Sequence, residues 1–492
     1  MIAASLLAFC GFYVAGSDQP MFNDATQVVL MRKGTRTVLS MQNNYKGPLQ
    51  DFAMVIPVPV VLHDGDVKTL PKQIFDDVER MSAPRLVEYW EQDPCRNFRE
   101  DAIAEARNAG ILGTGMALDE GKMGKYDVKV EAQFAVGEYN IEILSAKDST
   151  GLDAWLHDNH YMIPAGAEPL LRPYVEGGSK WFVAKVDPKK VQFVDGRAAL
   201  SPLRFHYDSE RFDLPIRLGL ANSQGTQDLI VNILAPNQRY DVANYKNVTI
   251  PTNLDVKDDV KAKFGGFYAA LFDRTLEKNP GAVVTEYSWQ ATSCDPCPGP
   301  QLTPSELMSL GEDVLPSSLD ETTRYYGGSD MVLTRLHARY GKDIKDDLVF
   351  KAAPPIVGGR EYTVPEDRTH YQMNSRPQIE QGARPDSENN FQARYVIRHE
   401  WKGPISCIAP VRGVWGGPPE GETSQPQAAT NLAFTPKVSI ALPDEVEHDI
   451  PEIGVKSKAG CGCQASDPTG LLAGLALGSL AFFRPRGRRV RR

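Results

Sequence analysis

A chain of 492 residues has room for two or three domains, and its 63 acidic against 54 basic side chains leave a net charge of −9. Six arginines crowd the last nine positions, so the rest carries 48 basic and 63 acidic groups, a net charge of −15. Such a body repels phosphate backbones and anionic lipid heads, which excludes nucleic acid as a partner, and its 42% apolar content excludes a disordered chain despite 41 Gly and 36 Pro.

Met1 to Ala8 is apolar but short and lacks a leading basic residue. It is expected to be a partial signal peptide whose start lies upstream, cut near Ala8; a buried N-terminal strand is the competing expectation. Phe9 is too bulky to precede a lipoprotein cleavage site, so Cys10 is not expected to carry lipid. Runs at 27–32 and 35–43 flank Lys33-Gly34 as a β-hairpin. Residues 52–61 continue as an extended segment, placed at a sheet edge by Pro57 and Pro59. The 70–92 stretch reads as a helix broken at Pro84, with Leu86, Val87 and Trp90 on one face. A glycine-rich loop is expected over 107–125.

Period-two alternation is clearest over 126–144, where Val128, Val130, Ala132, Phe134 and Val136 precede Gly137-Glu138, and Tyr139, Ile141 and Ile143 follow. A short helix is expected over 151–161, then strands at 181–186, 203–207, 216–220 and 229–234. Asn253 or Asp255 would cap a long helix over 256–276, with Val256, Val260, Phe264, Phe267, Leu271 and Leu276 as its apolar stripe. Strands return at 283–289, 331–337, 394–400 and 438–442. The fold class is therefore mixed α+β, a largely antiparallel sheet with several packed helices and a short hydrophobic C-terminal helix. Four regions follow: the partial signal peptide 1–8, an extracytoplasmic ectodomain 9–410 of one or two subdomains, a Pro/Gly-rich spacer 411–460, and a sorting tail 461–492.

In the tail, Cys461-Gly462-Cys463 precedes an apolar run and then Arg484, Arg486, Arg488, Arg489, Arg491 and Arg492. As a helix, 468–483 covers about 24 Å, short of a bilayer core of about 30 Å, so a transient membrane segment that is later cut is expected rather than a lasting anchor. The order of these parts resembles the C-terminal sorting domain of myxobacterial surface proteins (Myxo-Cterm). That resemblance implies export machinery and a sorting protease as partners, cleavage near Cys461 or Cys463, and a place at the cell surface or outer envelope of a Gram-negative, myxobacterial cell.

In the body, Phe9-Cys10-Gly11-Phe12, Phe22-Asn23-Asp24-Ala25, the run from Thr35 to Asn44, and Phe52-Ala53-Met54-Val55-Ile56-Pro57-Val58-Pro59 resemble the opening of domain-of-unknown-function family 2330. The run from Thr150 to Leu156 and Thr292-Ser293-Cys294-Asp295-Pro296-Cys297 fit it as well, over roughly 9–410. The resemblance implies secretion and supplies no activity.

Five body cysteines, Cys10, Cys95, Cys294, Cys297 and Cys407, are expected to form two disulfides and leave one thiol, with connectivity open. Cys294-x-x-Cys297 could close on itself, pair outward, shuttle electrons or bind metal; Pro296, Pro298 and Pro300 disfavour the helix start that a redox pair uses, so a structural disulfide is the preferred reading. His157 and His160, with Asp153 and Asp158, have metal-ligand spacing, weighed against two solvated histidines on a helix face. Tyr89-Trp90 and Tyr287 with Trp289 could form a carbohydrate platform but are more often core. Asp258-Asp259 and Asp346-Asp347 read as solvated faces or helix starts. No catalytic motif is complete, and no cofactor is expected. The leading reading is a non-catalytic surface protein with a binding or envelope-structural role and an unidentified ligand. The alternative is an extracytoplasmic enzyme, either a thiol oxidoreductase through Cys294 and Cys297 or a metal-assisted hydrolase through His157 and His160.

Overall fold

A computed structural model describes residues 12–15, 22–23, 27–42, 45–46, 52–95, 128–159, 161, 167–194, 197–222, 225–316, 331–360, 382–432 and 440–454. The expected partial signal peptide, the 107–125 loop and the sorting tail lie outside them, as do Cys10, His160, Cys461, Cys463 and the terminal arginines. The chain divides into two units, Met1–Val455 and Lys456–Arg492, and the described residues all belong to the first.

Mostly antiparallel sheets with packed helices make this an α+β fold, as the sequence predicts. Its hairpin Gln27–Lys33 and Arg36–Met41 turns at Gly34, whose φ of +60° suits a residue without Cβ. Both faces of this hairpin are covered, so successive side chains serve different cores. Val28 and Leu30 join Val231, Ile233 and Leu336 in one core, while Val29 and Met31 join Phe75, Val78 and Met81 in another.

These strands sit in the largest sheet of the described residues, of eleven strands. Its central order runs Val283–Gln290, Met331–Tyr340, Gln227–Pro236, Gln27–Lys33, Arg36–Met41 and Leu203–Asp208. One face packs on a five-stranded sheet in which Phe52–Val58, Lys180–Val186, Tyr139–Ala146 and Val128–Val136 are neighbours, burying Met54, Ile56, Ile141, Ile143 and Phe182. The helices Ser149–Asp158 and Glu168–Glu176 cover the far side of that smaller sheet through Leu152, Trp155, Leu156 and Leu171. On the far side of the large sheet lie Gln73–Ser82, Phe264–Lys278 and Pro304–Leu310. The result is four layers: helix, sheet, sheet, helix.

Several expectations are corrected. Phe52–Val58 is an interior strand, between Phe12–Ala15 and Lys180–Val186; its first neighbour ends opposite Val55, so Pro57 has a strand on one side only. The helix expected to resume after Pro84 does not. Gln73–Ser82 ends with Ala83 forced extended (ψ 149°) before the proline, and Arg85–Glu91 is a strand parallel to Arg394–His399. The 216–220 stretch is not a strand but part of a 3₁₀ turn, Arg217–Asn222, because the Asp347 carboxylate takes the N–H groups of Ile216 (2.9 Å) and Arg217 (3.2 Å). That also corrects Asp347, which is buried rather than solvated. The long helix begins at Phe264, preceded by a 3₁₀ turn, Asp258–Lys263. Its expected caps are engaged elsewhere: Asn253 Oδ1 accepts from Arg394 Nε at 2.8 Å and Asp255 Oδ1 from Arg398 Nε at 2.8 Å.

Candidate functional site

Between the Val283–Gln290 and Met331–Tyr340 strands the register slips: Thr285 opposes Leu336, Tyr287 opposes Arg335, and Glu286 opposes nothing. The extra residue is a β-bulge, which re-aims side chains. Val284 and Tyr287 consequently both meet cores of the helix layer, with Glu286 between them. On the opposing strand Leu333 joins the same core as Tyr287, and alternation brings Arg335 and His337 to that face.

Glu286 is the centre of a fully buried network. Its Oε2 accepts from Arg335 Nε at 2.7 Å; its Oε1 lies 2.7 Å from His337 Nδ1 and accepts from the Tyr268 hydroxyl at 2.6 Å. Phe272, one helical turn beyond Tyr268, stacks on the His337 ring at 3.7 Å between centroids. Arg335 Nη1 reaches Ser82 Oγ at 3.3 Å, and Ser82 Oγ lies 3.0 Å from Asn232 Oδ1. Burial alone would push the Glu286 carboxyl up, but the His337 ring and the Arg335 guanidinium hold it at about 2, so it is ionised. Burial and that carboxylate raise the Tyr268 phenol far above its usual value, which keeps it a neutral donor.

His337 Nε2 is buried without a hydrogen-bond partner among the described residues and borders a small pocket lined by Asp228, Tyr268, Phe272, Asp273, His337 and Arg339. A carboxylate on Nδ1 with a free Nε2 is the arrangement that makes a histidine a general base. Two observations argue against that use. The pocket measures about 20 Å³, the room one water needs. Its lining holds no Ser, Thr or Cys, and its cation Arg339 is tied to Asp228 at 2.6 and 2.7 Å and to Asp273.

A second cluster lies where Gln73–Ser82 ends. Fully buried Arg85 donates to the carbonyls of Met81 (2.7 Å) and Ala83 (3.2 Å), at the negative end of that helix, and stacks over Tyr287 at 5.2 Å. Its Nη1 donates to the Pro296 carbonyl at 3.1 Å, between the cysteines of the Cys294–Cys297 disulfide. Burial lowers Arg85 to about 10, with Arg394 and Arg335 contributing, and it remains a cation at neutral pH. The neighbouring Asp295 carbonyl accepts from buried Gln392 Nε2 at 2.9 Å. Cys294 packs in the core with Phe75, Met81 and Leu302, while Cys297 is half-buried and lies 3.8 Å from Gln301 Nε2.

The other disulfide, Cys95–Cys407, spans 312 residues just beyond the Arg85–Glu91 strand. Beside it the Glu91 carboxylate accepts from Arg412 Nε and Nη2 at 2.7 Å each, from Gly413 N at 2.7 Å and from Trp401 N at 3.0 Å, which together hold it at about 2.

Among the sequence candidates, Cys95, Cys294, Cys297 and Cys407 are joined in two bonds. His157 is exposed, its Nδ1 2.9 Å from the Asp153 carbonyl and 3.5 Å from the Asp153 carboxylate; its partner His160 is outside the described residues. Among the described residues, no group of three or more His, Cys, Asp or Glu is placed to hold a metal ion. Tyr287 is wholly buried, which removes it from a carbohydrate platform, and Trp90 stacks on His399 at 4.6 Å. No helix among the described residues is long and apolar enough to cross a membrane. Glu286, Arg335, His337 and Arg85 escape the sequence reading; their signal is a charge set inside an apolar strand run.

A family model described as an uncharacterized protein conserved in bacteria, DUF2330, matches residues 4–351, so it includes Cys294 and Cys297 and ends before Arg394–His399 and Cys407. No curated protein matches the chain. Among solved structures, the crystal structure of baculovirus P35 is similar at 10% identity with a TM-score of 0.22, covering 45% of this chain and 68% of that one.

Proposed function

We propose that this chain, which belongs to domain-of-unknown-function family 2330, is exported and held at the cell surface or outer envelope, where its disulfide-stapled body has a non-catalytic binding or envelope-structural role. The observation that carries this reading is the Cys95–Cys407 disulfide, which ties residues 312 apart, because such structural bonds persist in oxidising compartments and are rare in the cytosol. The interior charges support the non-catalytic part: Glu286, Arg335, His337 and Tyr268 bond to one another, and the space beside them admits about one water. The cysteine pair, apolar run and arginine cluster of the tail support sorting by a protease that trims near Cys461 or Cys463.

Mass spectrometry of the mature protein from the native envelope tests this. The expected result is both disulfides intact and a C-terminus upstream of Arg484. A cytoplasmic protein with four free thiols and Arg492 in place would overturn the proposal.

A further inference from the structure

We infer that Cys294 and Cys297 form a thiol–disulfide exchange site, with Cys297 the sulfur that meets the partner and Cys294 the resolving sulfur. It replaces the non-catalytic part of the scaffold reading at this one pair, leaves export and the Cys95–Cys407 staple as proposed, and does not rest on them.

As a staple the bond does little. Loop-closure stabilisation grows as the three-halves power of the number of residues enclosed, so linking residues 3 apart shifts the folding equilibrium about a thousandfold less than linking residues 312 apart. Nor does the loop need it. The carbonyl of Asp295 is held by Gln392 and that of Pro296 by Arg85, both fully buried, and the Leu302 N–H bonds the Ala291 carbonyl at 3.3 Å. These contacts keep the two sulfurs together when the bond opens.

The surroundings also separate the two sulfurs. Cys294 is 9% exposed, against core residues; Cys297 is half-buried at the rim, where Gln301 Nε2 points an N–H at its Sγ. An N–H on sulfur and a nearby cation both favour thiolate, and among the described residues the hydrogen bonds of the Arg85 cation go to main-chain carbonyls, one of them inside the pair. The exposed Asp295 carboxylate opposes this from the solvent side.

The exchange balances as follows. A thiolate of a partner dithiol attacks Cys297 Sγ, the Cys294–Cys297 bond breaks, and Cys294 leaves as thiolate and takes a proton from solvent. The partner's second thiolate then attacks its own sulfur in the mixed disulfide and expels Cys297. The partner is oxidised by two electrons and the pair is reduced by two; with a partner disulfide the sequence runs backwards.

Single-cysteine variants of the full chain test the assignment. With oxidised glutathione at pH 7, Cys297 in Cys294→Ser is expected to form mixed disulfide at least tenfold faster than Cys294 in Cys297→Ser. Rates within twofold of each other, or no reaction at Cys297, would overturn it. Dithiothreitol on the unmodified chain gives a readout independent of variant folding. Alkylation mapping should find Cys294 and Cys297 reduced while the far-ultraviolet circular dichroism is unchanged, and oxidised dithiothreitol should restore the bond. Reduction only together with unfolding sinks the proposal.

Discussion

Replacing Glu286 by Gln keeps the side chain's shape and removes its charge. Arg335, with no exposed surface, then loses the carboxylate 2.7 Å from its Nε. Breaking a buried ion pair from one side costs about 3–5 kcal/mol, because the remaining charge stays desolvated. Acid offers a second route to the same quantity. A carboxyl held at about 2 in the folded protein against 4.5 unfolded contributes about 3 kcal/mol of stability. Since the folded value is the lower one, the contribution is complete above about pH 5 and disappears as pH falls toward 2. Urea unfolding of wild type and Glu286→Gln at pH 7 and pH 3 measures both. The variant should be about 3–5 kcal/mol less stable at pH 7, and the gap should shrink by about 2 kcal/mol at pH 3. A gap under about 1 kcal/mol at pH 7, or one that acid leaves unchanged, would refute the reasoning.

The remaining predictions use the same unfolding measurement. Cys407→Ser releases a 312-residue closure that the chain-entropy model values at about 6 kcal/mol, whereas Cys297→Ser releases one worth about 2 kcal/mol; equal losses would contradict this. Phe272→Ala uncovers the face of His337 and should destabilise by about 3–5 kcal/mol. Gly359→Ala places a Cβ 1.7 Å from the Gln392 carbonyl oxygen at φ +69° and should prevent native folding of that turn, while Gly281→Ala, at the same φ in open space, should lose only about 1–2 kcal/mol; similar behaviour of the two would show that the crowding is relieved by backbone movement.

Where one physical period governs a segment, the sequence is enough to read it. The 128–146 hairpin is legible because its outer strand, Val128–Val136, has a largely half-exposed face, and the two strands pair as the alternation requires from Tyr139 to Ile143, beyond which a bulge sets Leu144 opposite Val130. Strand Arg85–Glu91 is opaque for the opposite reason: Leu86, Val87 and Trp90 suit a helix stripe equally well, and distant partners, Arg394–His399 with Trp415–Gly416 and Gln427–Ala428, decide the matter. The Glu286 network is hidden for a third reason. A bulge changes which residues share a face, and no periodicity announces a one-residue insertion. Disulfide partners 312 residues apart are likewise a property of topology, whereas the three-residue pair suggests itself. Asp347 reads as solvated because its neighbours are charged, yet its carboxylate organises the turn at Ile216 and receives Arg217 and Tyr174.

The parallel pairing of Arg85–Glu91 with Arg394–His399 sets a timetable for synthesis. About 300 residues separate the two strands, so at 5–20 residues per second the ribosome needs about 15–60 s after making the first before the second exists. Throughout that interval the earlier strand lacks its parallel neighbour and Cys95 lacks Cys407. The sheet around Arg85–Glu91 and the Cys95–Cys407 bond therefore close late, whereas the strands between Gln27 and Tyr340 have all their mutual partners well before then. Completion of that sheet waits on a segment about 300 residues downstream, however early the strands before it have paired.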